Sequence, residues 1–177
     1  DYAVISLTGG QKDNAITREC ITEFLTDAPE EVKAYAKELQ EQIREEYTGS
    51  DENITIEVKE NGVETAQVLH PTSQEKIVFY LQNVPFGIQK MSGTIKGLVE
   101  SSSNIGILRL DEDELFASSS VRSSVDAACS AISDKIEYLT EFLGGDYEVQ
   151  GAYPAWEYRK DSPLRDKMVE IFEEMYG

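Results

Sequence analysis

The chain has 177 residues, enough for one domain or two small ones, and its 40% hydrophobic content with a full set of aromatics excludes a disordered chain. Its 16 basic residues face 34 acidic ones, and the resulting net charge of −18 repels nucleic acid and anionic membrane surfaces, so neither is expected as a partner. No apolar run is long enough to span a bilayer and no signal peptide is visible, while the start at Asp1, straight into a strand, reads as a chain processed or cut from something longer.

Residues 2–7 read as an apolar strand, followed by a turn at Gly9-Gly10-Gln11-Lys12-Asp13. Residues 15–25 continue extended, with Ile16, Arg18, Cys20 and Thr22 on one face and Ile21, Glu23 and Leu25 on the other. Pro29 opens a helix, and Glu30 and Glu31 suit its positive N-terminal end. Val32, Ala36, Leu39, Ile43 and Tyr47 repeat at helical spacing as its packing stripe, and Gly49 stops it. Ile54, Ile56 and Val58 alternate with polar residues as a half-buried strand. Residues 63–69 suggest another strand. Thr72-Ser73-Gln74-Glu75 then reads as a capping box starting a short helix with Ile77, Val78 and Leu81, and a loop with Pro85 and Gly87 follows.

The order then recurs. Strands at 102–110 and 115–123 flank an acidic turn at 111–114. A helix at 125–143 carries the stripe Ala128, Ile132, Ile136, Leu139 and Leu143 and ends at Gly144, and a strand at 147–153 follows. After a polar linker at 157–161, Ser162 caps and Pro163 opens an amphipathic helix with Leu164, Met168, Ile171, Phe172 and Met175. The expected class is α+β: two tandem β-β-α-β units in an antiparallel sheet with helices on one face. The leading strand and helix of the second unit make it the split, ferredoxin-like arrangement. The expected divisions are a first repeat at 1–70 that lacks its leading β-α, a second at 71–160, and a helix at 161–177 outside both.

Chemistry-bearing residues are sparse. His70 is the single histidine and precedes Pro71 in an apparent loop, with no Cys or carboxylate cluster at ligand spacing, so a structural or solvent-exposed role is expected. No P-loop, dinucleotide fingerprint, Gly-x-Ser-x-Gly or Cys–His nucleophile signature is present, so neither a catalytic residue nor a metal ligand is assigned within this chain. Cys20 and Cys129 lie far apart and read as two buried thiols in a reducing compartment. On the strand at 115–123, Leu115, Ala117, Ser119 and Val121 point one way and Phe116, Ser118, Ser120 and Arg122 the other. The second face is small and hydroxyl-rich beside a guanidinium. That suits a carboxylate ligand, or else a solvated sheet face with an ordinary surface Arg.

Several segments, in order, resemble a known family. Ser6-Leu7-Thr8-Gly9-Gly10-Gln11-Lys12-Asp13-Asn14-Ala15-Ile16-Thr17-Arg18-Glu19 is similar to the Gly-Gly-x-x-x-Asn-Ala-Ile-Pro-Arg-Glu segment of bacterial aminoacyl-histidine (Xaa-His) dipeptidases. Met91-Ser92 and Gly97-Leu98-Val99-Glu100-Ser101-Ser102-Ser103-Asn104-Ile105-Gly106 resemble that family's Met-Ser and Gly-Leu-Val-Glu-Thr-Ser-Leu-Asn-Leu-Gly. Val121-Arg122-Ser123-Ser124 and Tyr153-Pro154-Ala155-Trp156 also fit, the latter where the family usually has Tyr-Pro-Gly-Trp.

The resemblance implies part of a zinc exopeptidase that hydrolyses Xaa-His dipeptides in the cytoplasm. The matching part is the lid domain, inserted in a catalytic domain, which closes over the dipeptide and mediates homodimerisation. The two zinc ions, the general-base Glu and the usual Gly-Gly-His-Ser-Gly segment then lie outside this chain, which is inactive alone. Two substrate-binding residues carry over: Asn14, which polarises the substrate carbonyl, and Arg122, which holds the C-terminal carboxylate, with Asn104 a third candidate. Thr17 stands where the family has Pro. The alternative is a stand-alone, ferredoxin-like protein-interaction module.

Overall fold

The computed structural model describes residues 1–62, 65–111, 113–156, 159 and 161–177. Alternating and helical apolar patterns fold into β1 (Tyr2–Gly9), β2 (Cys20–Thr26), α1 (Pro29–Glu46), α2 (Pro71–Asn83), β3 (Gly87–Met91), β4 (Val99–Leu110), β5 (Leu115–Ser123), α3 (Asp126–Phe142) and α4 (Pro163–Tyr176). The strands form an antiparallel five-stranded sheet, hydrogen-bonded in the order β2-β1-β4-β3 with β5 also on β4, so the α+β class holds. The chain divides into two units, Asp1–Asn83 with Ile105–Ser118 and Val84–Asn104 with Ser119–Gly177.

In the first unit, β1 and β2 pair from Tyr2↔Thr26 to Gly9↔Cys20, with a bulge between Val4 and Ser6. The far end of β1 also pairs with β4, Leu7↔Leu110 to Gly9↔Leu108. The extended run expected from residue 15 starts only at Cys20, because the Ala15 N–H turns back to the Lys12 carbonyl at 3.3 Å. Helix α1 begins at Pro29 with Glu30 and Glu31 in its first turn and buries Ala36 of the expected stripe. Lys33 pairs with Glu30 at 2.8 Å and with Glu60, and these two acceptors raise its pKa.

The strand expected around Ile54–Ile56–Val58 does not form. Side chains of α1 take the backbone groups that a neighbouring strand would use: Arg44 Nε donates to the Ile54 carbonyl at 2.6 Å, and the Ile56 N–H donates to Gln40 Oε1 at 2.7 Å. The alternation survives as half-buried Ile54 and Ile56 without a ladder. Of the strand expected at 63–69, residues 65–69 are not extended in a ladder, and Val63 and Glu64 lie outside the described residues.

The expected capping box at Thr72–Glu75 is also replaced. Helix α2 starts at Pro71, whose fixed φ suits the first helical position. His70 therefore holds the capping place: its Nδ1 accepts from the Thr72 N–H at 3.3 Å, and its carbonyl accepts from the Gln74 N–H at 3.0 Å.

In the second unit, β3 was not anticipated. It pairs with β4 from Gly87↔Ser103 to Met91↔Val99 across two register shifts. On β4, Ser101 and Ser103 are the most enclosed side chains, 2% and 1% exposed. Strand β5 has the expected bounds, and α3 buries Ile132 and Ile136 of its expected stripe. The strand expected at 147–153 is absent: residues 147–150 join no ladder, and Gly151 turns the chain at φ 66. Ser162 caps α4 as expected, its Oγ accepting from the Arg165 N–H at 3.3 Å, and α4 leaves Leu164, Met168 and Phe172 exposed. The β-β-α order thus recurs, as β1-β2-α1 and β4-β5-α3, without the closing strands. Glu112 of the expected acidic turn, and Glu157, Tyr158 and Lys160 of the expected linker, lie outside the described residues.

Both cysteines are free thiols. Cys20 is exposed rather than buried, because its cross-strand neighbour is Gly9, which has no side chain to cover it. Its sulfur nevertheless rests on that neighbour, 3.5 Å from where a Cβ on Gly9 would stand, and partial burial of the thiol pushes its pKa up.

Candidate functional site

Asn14 sits on a loop laid backbone-on-backbone over β4. The Gly10 N–H donates to the Glu19 carbonyl at 3.3 Å and closes the loop where β1 ends. Gly10 has φ 70, and a Cβ there would overlap the Gly106 carbonyl oxygen. A Cβ on Gly106 would in turn overlap the carbonyl oxygens of Lys12 and Asp13. Thr17 Oγ1 donates to the Ile105 carbonyl at 2.8 Å. The sequence marks Gly9-Gly10 as a turn. The structure adds why Gly10 and Gly106 are both glycine, since the first motif lies directly on the last residue of the second.

Within this loop the Asn14 N–H donates to Asp13 Oδ1 at 2.9 Å, leaving the side-chain amide exposed and, among the described residues, unpartnered. Asn14 does not adopt a positive φ, so a left-handed backbone is not what the residue supplies here. An exposed amide can donate its N–H to an oxyanion or a carbonyl brought to it.

Arg122 lies in the second unit, next to the last residue of β5. It is exposed, and among the described residues no hydrogen bond or ion pair engages its guanidinium. The backbone around it is fixed. Ser123 Oγ lies 2.9 Å from Ser101 Oγ and accepts from the Val125 N–H at 3.0 Å, and the Ser124 N–H donates to the Glu100 carbonyl at 3.0 Å. Those bonds set the end of β5 and the start of α3 together. Ser120, half-buried, shares the Arg122 face by strand alternation, while on the other face the Ser119 hydroxyl is buried with no partner among the described residues. Glu100, 13% exposed, is neutralised by Lys90 at 2.6 Å. The backbone after Arg122 is therefore anchored, and its exposed guanidinium is open to solvent, where a planar fork can meet a carboxylate.

Asn104 is half-buried on β4, in the same unit as Arg122, whereas Asn14 belongs to the first unit. Sequence reasoning missed two residues that shape the Asn14 loop, Gly106 and Thr17. The available signal for the second was the hydroxyl residue standing where the resembling segment has Pro.

Among the described residues no group of three or more His, Cys, Asp or Glu side chains could hold a metal ion, and the Nδ1 of His70 accepts the α2 cap hydrogen bond. The described residues therefore do not fit a zinc centre. Among the described residues no helix is long and apolar enough to cross a membrane.

No protein-family model matches the chain. A cytosol non-specific dipeptidase of Escherichia coli (strain K12) is 24% identical over 179 residues, covering 100% of this chain and 37% of the relative. The crystal structure of an aminoacylhistidine dipeptidase from Vibrio alginolyticus matches with a TM-score of 0.86 at 26% identity, covering 99% of this chain and 36% of that one. The chain is thus a dipeptidase-related domain, similar along its whole length to a part that makes up little more than a third of each of these peptide hydrolases.

Proposed function

We propose that this domain is the substrate-clamping and dimerising lid of a cytoplasmic, zinc-dependent dipeptidase acting on Xaa-His dipeptides. The observation that carries the reading is the structural match to an aminoacylhistidine dipeptidase over 99% of the chain. In this reading Arg122 takes the C-terminal carboxylate of the dipeptide in a bidentate grip, for which a chain of net charge −18 offers no general attraction. Asn14 donates its side-chain N–H to the scissile carbonyl as negative charge develops on that oxygen. Asn104 is the further candidate for substrate contact. The zinc ions belong to the remainder of the parent protein, and no step assigned to this chain passes through them.

The test is made on the full-length protein. Hydrolysis of an Xaa-His dipeptide that is lost on chelation and restored by zinc, together with a dimer in sedimentation, supports the reading. A zinc-restored protein that leaves Xaa-His dipeptides intact but cleaves others overturns the substrate assignment, and one that binds no zinc and cleaves no dipeptide favours the stand-alone interaction module. An active monomer removes the dimerising role alone.

A further inference from the structure

We infer that Thr17 is a positioning residue: its hydroxyl latches the Asn14 loop to β4 and so fixes where the Asn14 amide is presented. Thr17 lies three residues after Asn14 and is the one position from 11 to 20 that is not exposed. Its Oγ1 reaches across 88 residues of sequence to the Ile105 carbonyl at 2.8 Å, in a part-buried setting. A Cβ on Gly10 would stand 2.7 Å from that hydroxyl oxygen, so the glycine is what lets the hydroxyl lie there. The Ala15 N–H to Lys12 carbonyl bond and the Asn14 N–H to Asp13 carboxylate bond shape the loop from within, and neither reaches the strand. Close approach at Gly10 and Gly106 gives the loop a seat on β4, and a directional bond from Thr17 fixes its register on that seat.

The inference rests on the oxyanion reading of Asn14 above. In the full-length chain, Thr17→Val removes the hydroxyl at nearly constant shape, and Thr17→Ser keeps it. Thr17→Val is expected to speed amide hydrogen exchange in residues 11–18 and to lower kcat for a dipeptide about tenfold, less than the hundredfold or more lost with an oxyanion donor itself. KM stays within about twofold, because the interaction disturbed is made in the transition state. Thr17→Ser restores both readouts. In an Asn14→Ala background, Thr17→Val lowers kcat no further, since the two act as one unit. Unchanged exchange in Thr17→Val, or an equal loss of kcat with and without Asn14, overturns the latch. Wild-type kcat in Asn14→Ala instead overturns the oxyanion reading, and the exchange measurement needs no activity to judge the latch itself.

Discussion

Gln74 stands in for a neighbouring strand, its side-chain oxygen accepting the Val4 N–H at 2.8 Å. The Leu69 N–H completes the imitation by donating to the Val4 carbonyl at 2.8 Å. Strand β4 pairs with β1 only from Leu7 to Gly9, so the near end of this edge is satisfied by the first turn of α2 and the residue before its cap.

Gln74→Ala leaves a part-buried backbone N–H without its acceptor, which costs about 1–3 kcal/mol. Urea denaturation of the variant should show that loss. Gln74→Glu keeps an acceptor of the same length and should lose less.

Gly106→Ala tests the backbone contact under the Asn14 loop. The new methyl meets main-chain oxygens of Lys12 and Asp13, which cannot rotate away as a side chain would. Overpacking of this kind costs about 1–3 kcal/mol. Gly93→Ala is the control, since nothing lies within 4 Å of a Cβ there, and it should be within about 0.5 kcal/mol of wild type. Equal midpoints for the two variants would mean the loop lifts off β4 freely.

The helices were legible because their signals are local. Pro29 with two glutamates, the Ile132–Ile136 stripe and the Ser162–Pro163 start each lie within a turn or two of the element they define. Strand β5 was legible for the same reason, although its side chains from Ala117 to Val121 are all half-buried rather than alternating. What stayed hidden depends on partners distant in sequence. Ile54 to Val58 alternate as a strand does, but whether Arg44 and Gln40 or another strand takes their backbone groups is a matter of tertiary packing. The five residues of β3 carry too short a pattern to stand out from the Pro85–Gly87 loop. Asn14 and Arg122 were named from motif order, while the seat of the Asn14 loop on Gly106 needed coordinates.

Arg122→Ala, made in the full-length protein, should lower kcat/KM for a dipeptide by about thirty-fold to several-thousand-fold. That range corresponds to the roughly 2–5 kcal/mol lost when one partner of a desolvated charge pair is removed. Arg122→Lys should recover only part, because a point charge cannot reproduce the fork. A dipeptide amide, which has no carboxylate, should be a poor substrate for the wild type and lose little more in Arg122→Ala. Equal losses on acid and amide would make Arg122 structural.

Cys20 offers a pH-dependent readout. Its thiol pKa lies above the usual 9.0 because burial disfavours the thiolate, so less of the reactive form exists at any given pH. Alkylation of Cys20 by iodoacetamide should therefore rise at more alkaline pH in the folded protein than in urea. Coincident profiles would show that the sulfur is fully solvated.

Among the described residues the buried apolar side chains are Ala36, Tyr80, Val84, Leu110, Ile132 and Ile136, while β4 gives its two most enclosed positions to serines. The heat-capacity increment of unfolding follows the apolar surface withdrawn from water, at about 12–15 cal/mol/K per residue in ordinary globular proteins. A domain that withdraws so little should fall below that range. Its stability curve is then shallow: cooling weakens it little, and calorimetry should find a small step in heat capacity between the folded and unfolded baselines.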